Sequence, residues 1–194
     1  MNPRHIPNLI SAARVLLVYP VVSLMLEQRY GPALALFVVA GVSDGVDGFL
    51  AKHYHWQSRL GSFLDPLADK LLLVCCYLVL AWQGLLPLWL AVLVVLRDVV
   101  IFSGAVAYHL LMRPFEGQPL LLSKLNTLLQ LVLVFAVLAS RVVAGIPGLA
   151  LDGLILLAAL TTFGSGAQYV HLWGSRYWQE RRLAGTRVPP ERKL

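Results

Sequence analysis

Apolar residues run through this chain in six long blocks with little alternation, each close to the ~20 residues a helix needs to cross hydrocarbon. The blocks cover roughly residues 7–27, 31–53, 62–83, 87–112, 122–143 and 150–173. Between them stand "EQRYGP", "HYHWQSRLG", "QGLLP", "MRPFEGQP" and "RVVAGIPG", where proline, glycine and polar residues interrupt the run. No period-two pattern of a membrane barrel is present, and an open lipid-facing sheet would strand its backbone polar groups. The pattern predicts an all-α, polytopic membrane protein with six transmembrane helices. It divides into a six-helix domain over residues 1–175 and a basic tail over residues 176–194.

Composition agrees. The 194 residues are 58% hydrophobic and 13% charged, with a mean hydropathy of +0.72, against about 25% charged in soluble domains. Charge adds orientation. With the N-terminus inside, the inner segments carry Arg4, Lys52, Arg59, Arg113, Lys124 and the tail cations, while the outer loops carry only Arg29 and Arg141. That asymmetry predicts both termini in the cytoplasm. The tail, with Arg176, Arg181, Arg182, Arg187, Arg192 and Lys193, suits anionic lipid headgroups. No nucleic-acid module accompanies it, so no nucleic-acid partner is expected. The segment "MNPRHIPNLISAAR" has neither the short apolar region of a signal peptide nor the Arg- and Ser-rich character of a transit peptide. The expected location is the bacterial cytoplasmic (inner) membrane. Cys75 and Cys76, adjacent in an apolar run, read as small core filler rather than a disulfide or metal pair.

One stretch resists the apolar pattern. "SDGVDGFLAKHYHWQSRLGSFLDPLADK" holds Asp44, Asp47, Asp65 and Asp69, four of the ten acidic residues. Asp44 and Asp47 are three apart and Asp65 and Asp69 four apart, so each pair shares a helical face. Gly48 and Ala51 continue the first face, Gly61 precedes Asp65 by four, and Gly41 and Gly45 form a small-xxx-small step for close helix approach. A carboxylate at a helix centre costs about 2.5–3.5 kcal/mol on insertion scales, so four cost on the order of 10. Hard divalent cations offset both the burial and the mutual repulsion, since carboxylate oxygens suit Mg²⁺ and Mn²⁺. Four such ligands fit two ions. Interfacial aspartates without a ligand account for one or two of the set, not for two pairs at helical spacing. A divalent-cation transporter would use the same ligand type, but usually near mid-membrane, whereas this cluster flanks a short loop on the expected cytoplasmic side.

Asp44, Asp47, Gly48, Ala51, Lys52, Gly61, Asp65 and Asp69 follow the signature D-x2-D-G-x2-A-R-x8-G-x3-D-x3-D, and here the chain resembles the CDP-alcohol phosphatidyltransferases. Only Lys52 departs, where the family usually has arginine. "IPNLISAAR" before the signature and "SKLNTLLQ" after it extend the resemblance over most of the chain. The resemblance implies transfer of a phosphatidyl group from CDP-diacylglycerol to an alcohol, with release of CMP. It implies Asp44, Asp47, Asp65 and Asp69 as ligands of two Mg²⁺ or Mn²⁺ ions, with Asp69 also the general base. Gly48, Ala51, Lys52 and Gly61 would hold the CDP moiety, helped by Asn8 and Arg14 on the first helix. It also implies a homodimer among membrane lipids. Lysine offers a point charge where arginine offers a planar fork, so Lys52 would keep neutralisation and loosen orientation.

The acceptor must be read elsewhere. Arg97 and Asp98 sit inside the strongly apolar fourth span. They form either an internal pair that orients helices or, through Arg97, part of the acceptor pocket. Phosphatidylglycerol-phosphate synthases resemble this segment but carry Arg-Glu and a second arginine where this chain has Asp98 and Ala105. "RDVVIFSGAV" and "LLLSKLNTLLQL" are more similar to the CMP-forming cardiolipin synthases of the family, whose acceptor is phosphatidylglycerol. In that reading Arg97 and Lys124 contact acceptor phosphate; otherwise Lys124 is an interfacial snorkelling lysine. Glycerol-3-phosphate is the alternative acceptor. His53 and His55 read as interfacial, "TTFGSGAQY" as helix-packing or lipid-entry sequence, and Trp82, Trp89, Trp173 and Trp178 as aromatic belts.

Overall fold

The computed structural model describes the backbone of residues 6–53, 61–111, 121–143 and 145–185, and the side chains of 15–43, 70–104, 121–143 and 145–172. Six helices run through the described residues: α1 Ile6–Leu26, α2 Tyr30–His53, α3 Gly61–Trp82, α4 Leu88–Leu111, α5 Leu121–Ser140 and α6 Gly148–Gly185. No strand occurs among the described residues. α6 continues well past the expected end of the sixth span, through the first ten residues of the basic segment. The apolar run stops near residue 173, but "QERRLA" is rich in helix formers, so the helix outlasts its hydrophobic stretch.

Local chemistry sets the helix ends. α1 closes in a Schellman motif: Gln28 N donates to Met25 O and Arg29 N to Leu24 O, both at 2.9 Å. This puts Gln28 in the left-handed region at φ 59°. α3 ends the same way, with Gly84 N to Ala81 O and Leu85 N to Leu80 O, and Gly84 at φ 71°. Pro87 and Pro147 stand just before α4 and α6 and accept their first backbone bonds from Leu90 and Ala150.

The core is a set of helical stripes. Val18, Val21 and Met25 on α1, Ala33, Phe37 and Ala40 on α2, Leu73, Cys76, Tyr77 and Leu80 on α3, and Leu90, Ala91 and Val94 on α4 are buried. So are Leu133, Val134, Val137 and Leu138 on α5 and Ala158 on α6. Steps of three and four recur along each stripe, which leaves one inward face per helix. α1 packs on both α2 and α3, α5 on α2, α3 and α6, and α4 on α3 and α6. Cys76 is fully buried and Cys75 partly so, both as free thiols, as their apolar setting predicts.

The outward faces are apolar too. Leu16, Tyr19, Trp82, Leu88, Trp89, Phe163 and Val170 are all more than half exposed, far more than a soluble surface tolerates in contiguous patches. Among the described residues, Leu121–Val142 and Gly148–Leu172 are long and apolar enough to cross a membrane. Val15–Leu26, Tyr30–Ser43 and Lys70–Trp82 are shorter apolar runs. Trp82 and Trp89 face outward, as aromatic-belt residues would.

Candidate functional site

The two ends of the bundle differ in chemistry. At one end the C-terminus of α1, the start of α2 and the C-terminus of α3 meet. There Gln83 Nε2 donates to Met25 O, and Tyr30 Oη donates to Gln83 Oε1 at 3.2 Å. A 480 Å³ cleft opens at this end, lined by Leu26, Gln28, Tyr30, Trp82, Gln83, Leu85 and Arg141. It lies away from the backbone that carries the signature. Asp69 is fourteen positions from Gln83 along α3, about 20 Å at 1.5 Å per residue.

Toward the other end the inward stripes turn polar. On α4 the stripe of Leu90 and Val94 continues to Arg97. On α5 the apolar stripe of Val137, Val134 and Leu133 gives way to Gln130 and Asn126, and on α6 Ala158 gives way to Thr162 and Ser165. Arg97 is only 5% exposed. Its Nη2 donates to Ser123 Oγ at 2.6 Å and to Ser165 Oγ at 2.7 Å, its Nε to Ser165 Oγ at 3.3 Å, and its Nη1 to Asp98 Oδ1 at 2.6 Å.

The Arg97–Asp98 pair offered by the sequence is therefore present, and its arginine also ties α4 to α5 and α6. Asp98 has a second partner that sequence reasoning missed: Lys70 Nζ donates to its Oδ1 at 2.8 Å and its Oδ2 at 2.9 Å. Ser123 and Ser165 were missed as well. The one available signal was an adjacent arginine and aspartate in an apolar helix, whose remaining hydrogen-bonding groups demand polar company.

A second polar seam joins α5 and α6. Thr162 Oγ1 donates to Asn126 Oδ1 at 2.8 Å and accepts from Gln130 Nε2 at 3.3 Å, and Thr161 Oγ1 lies 3.0 Å from the same Asn126 oxygen. Tyr77 Oη on α3 donates to Gln130 O at 3.4 Å. The small residues of "TTFGSGAQY" serve helix packing here. A Cβ on Gly164 would stand 3.4 Å from Leu122 Cδ2, and one on Gly166 would stand 3.6 Å from Arg97 Cγ. Gly41 behaves otherwise. It is exposed, and an added Cβ would meet nothing within 4 Å, so among the described residues this glycine brings no second helix close.

The backbone carries Asp44, Asp47, Gly48, Ala51 and Lys52 on α2, Gly61, Asp65 and Asp69 on α3, and Asn8 and Arg14 on α1. Their side chains lie outside the described residues, as do His53, His55, Trp173, Trp178 and the tail cations. α2 and α3 both pack on α1 and on α5, so the two acidic helices share their neighbours. Lys124 is exposed. The donor set of the signature is carboxylate only, which fits a hard divalent cation. Among the described residues no group of three or more His, Cys, Asp or Glu side chains offers another such site.

The chain is similar to known proteins. Residues 4–164 match the CDP-alcohol phosphatidyltransferase family model. The CMP-forming cardiolipin synthase of Rattus norvegicus is 36% identical over 186 residues, covering 88% of this chain and 62% of that protein. The human protein of the same name is 35% identical over the same shares. A CDP-diacylglycerol–glycerol-3-phosphate 3-phosphatidyltransferase of Aquifex aeolicus is 32% identical over 127 residues, covering 64% of this chain and 70% of that protein. The chain thus spans less than two thirds of the length of its mammalian relatives. With the family model covering most of its length, this membrane protein belongs to the CDP-alcohol phosphatidyltransferases.

Proposed function

We propose that the chain transfers the phosphatidyl group of CDP-diacylglycerol to phosphatidylglycerol, forming cardiolipin and releasing CMP. The observation that carries the reaction class is the complete aspartate signature, Asp44 to Asp69, on two helices of a family member. In this reading all six helices span the bacterial inner membrane, both termini are cytoplasmic, and the acidic helix ends face the cytoplasm.

Asp44, Asp47, Asp65 and Asp69 would hold the divalent cations, two Mg²⁺ or Mn²⁺ ions. Bound there, such ions would supply charge neutralisation and Lewis-acid polarisation to a pyrophosphate substrate. Gly48, Ala51 and Gly61 leave room for the CDP moiety beside the backbone, and Lys52, Asn8 and Arg14 hold its charged and polar groups. Asp69 takes the proton of the acceptor hydroxyl. That oxygen bonds to the lipid-side phosphorus, the bond from this phosphorus to the bridging oxygen breaks, and CMP leaves with that oxygen.

Phosphatidylglycerol is favoured by the supply of cations. Arg97 already engages Asp98, Ser123 and Ser165, and position 105 is alanine. Lys124 is the exposed cation at this end of α5. A phosphodiester, with one charge, needs less than a phosphomonoester. Glycerol-3-phosphate is the second reading, favoured by the Aquifex relative's name.

The test is CMP release from CDP-diacylglycerol by the purified chain in lipid nanodiscs, with and without Mg²⁺, offering each acceptor separately. Cardiolipin with phosphatidylglycerol alone is the expected product. Turnover only with glycerol-3-phosphate selects the second reading. Cation flux without CMP release selects a transporter and removes the reaction class. Asp69→Asn is expected to abolish CMP release, and normal release in that variant would remove Asp69 as the base.

A further inference from the structure

We propose that Asp98 and Lys70 form a positioning pair that fixes the rotation of α3 and so aims Asp69 at the reacting hydroxyl. This rests on the reading of Asp69 given above. Lys70 directly follows Asp69 on α3, so the two backbone positions are about 100° apart around the helix. Fixing one direction fixes the other.

The geometry suits that task. Lys70 Nζ meets both oxygens of Asp98 at 2.8 and 2.9 Å, so the contact is bidentate. Asp98 is also held by Arg97 Nη1 at 2.6 Å. Arg97 in turn is anchored by Ser123 on α5 and Ser165 on α6. A single polar chain thus runs from α3 through α4 to α5 and α6. The Asp98 side chain is 14% exposed and that of Lys70 34%, so the pair is shielded from water more than a surface ion pair is.

The described apolar contacts of α3 lie to one side of this pair. The buried residues Leu72, Leu73, Cys76, Tyr77 and Leu80 all lie on the far side of Lys70 from Asp69. The ion pair adds to them a charged contact at the position next to Asp69. A carboxylate about 5 Å from the helix axis moves about 2 Å for a 20° rotation. A misplacement of about 1 Å at a reacting centre can cost on the order of 10²-fold in rate.

The experiment compares the full chain with Asp98→Asn, Lys70→Met and the double variant in nanodiscs, reading CMP release and thermal unfolding together. Each single variant is expected to lower kcat about 10- to 100-fold, with KM for CDP-diacylglycerol within about threefold. The double variant is expected to lose less than the product of the two single losses, because the Lys70–Asp98 contact is common to both. Asp98→Glu and Lys70→Arg are expected to keep kcat within about fivefold of the parent. The proposal is overturned by near-parental kcat in both single variants, by losses that multiply in the double, or by a loss confined to KM. If Asp98→Asn fails to fold, the kcat of Lys70→Met against Lys70→Arg decides: a loss in the first alone supports the pair, and equal values overturn it. Absence of CMP release from the parent chain would instead count against the proposed reaction.

Discussion

Gln28 carries a local cost that its neighbours do not. It occupies the left-handed C′ position of the α1 Schellman motif at φ 59°, where glycine is the usual residue because it has no Cβ to clash. Gly84 fills the equivalent position after α3. Gln28→Gly is therefore expected to stabilise the protein by about 0.5–1 kcal/mol, seen as a higher thermal midpoint in detergent. An unchanged or lower midpoint would show that the exposed glutamine side chain compensates for its backbone. Lys52 poses the opposite case, a departure in charge geometry rather than backbone. In the proposed site it faces the pyrophosphate as a point charge, so Lys52→Ala should lower kcat/KM on the order of 10²-fold, the equivalent of about 2–3 kcal/mol for a charge-assisted hydrogen bond. Lys52→Arg should match or exceed the parent. Unchanged turnover in Lys52→Ala would remove this residue from the site.

At the scale of helices, the α5–α6 seam separates packing from polar pairing. Thr162 is fully buried, giving one hydrogen bond to Asn126 and taking one from Gln130. Thr162→Val keeps shape and loses both. Cross-helix bonds in membranes average about 0.6 kcal/mol, with a maximum near 1.7. The expected loss is therefore about 1 kcal/mol in reversible unfolding, with little change in catalysis; a neutral result would show that the neighbouring Thr161 takes over. Such pairings were the least legible part of the fold. The helices themselves were legible: spans read at 31–53 and 62–83 appear as Tyr30–His53 and Gly61–Trp82, because apolar length and Pro/Gly breaks are local properties. The end of α6 was not, because hydropathy marks where lipid contact ends and helix propensity marks where the helix ends. The aspartate pairs fall on α2 and α3, as their spacing expects, with their side chains outside the described residues. Lys70 with Asp98, and Arg97 with Ser123 and Ser165, join positions 26 to 68 residues apart, and no local pattern encodes which helix faces which.

Across the whole molecule, the two ends of the bundle carry different charge, and that asymmetry argues for an orientation. At the end bearing the cleft, Arg29 stands 3.7 Å from Glu27 with both side chains exposed, and Arg141 lines the cleft. At the opposite end Lys124 is exposed, and the backbones of α2 and α6 carry Lys52, Arg176, Arg181 and Arg182 beyond the apolar runs. Cytoplasmic loops carry the Lys and Arg excess, so the aspartate end is expected to face the cytoplasm, where a CDP-linked substrate would meet it. Cysteine labelling tests this in intact cells with a membrane-impermeant maleimide. Gln28→Cys, on the exposed α1–α2 turn, is expected to label without permeabilisation. Gln118→Cys, between α4 and α5, is expected to label only after it. Cys75 and Cys76 lie within the apolar run of α3 and should remain silent, so the parent chain is the background control. The reverse labelling pattern would turn the bundle over and place the carboxylates outside, where the proposed chemistry would lack a cytoplasmic nucleotide lipid.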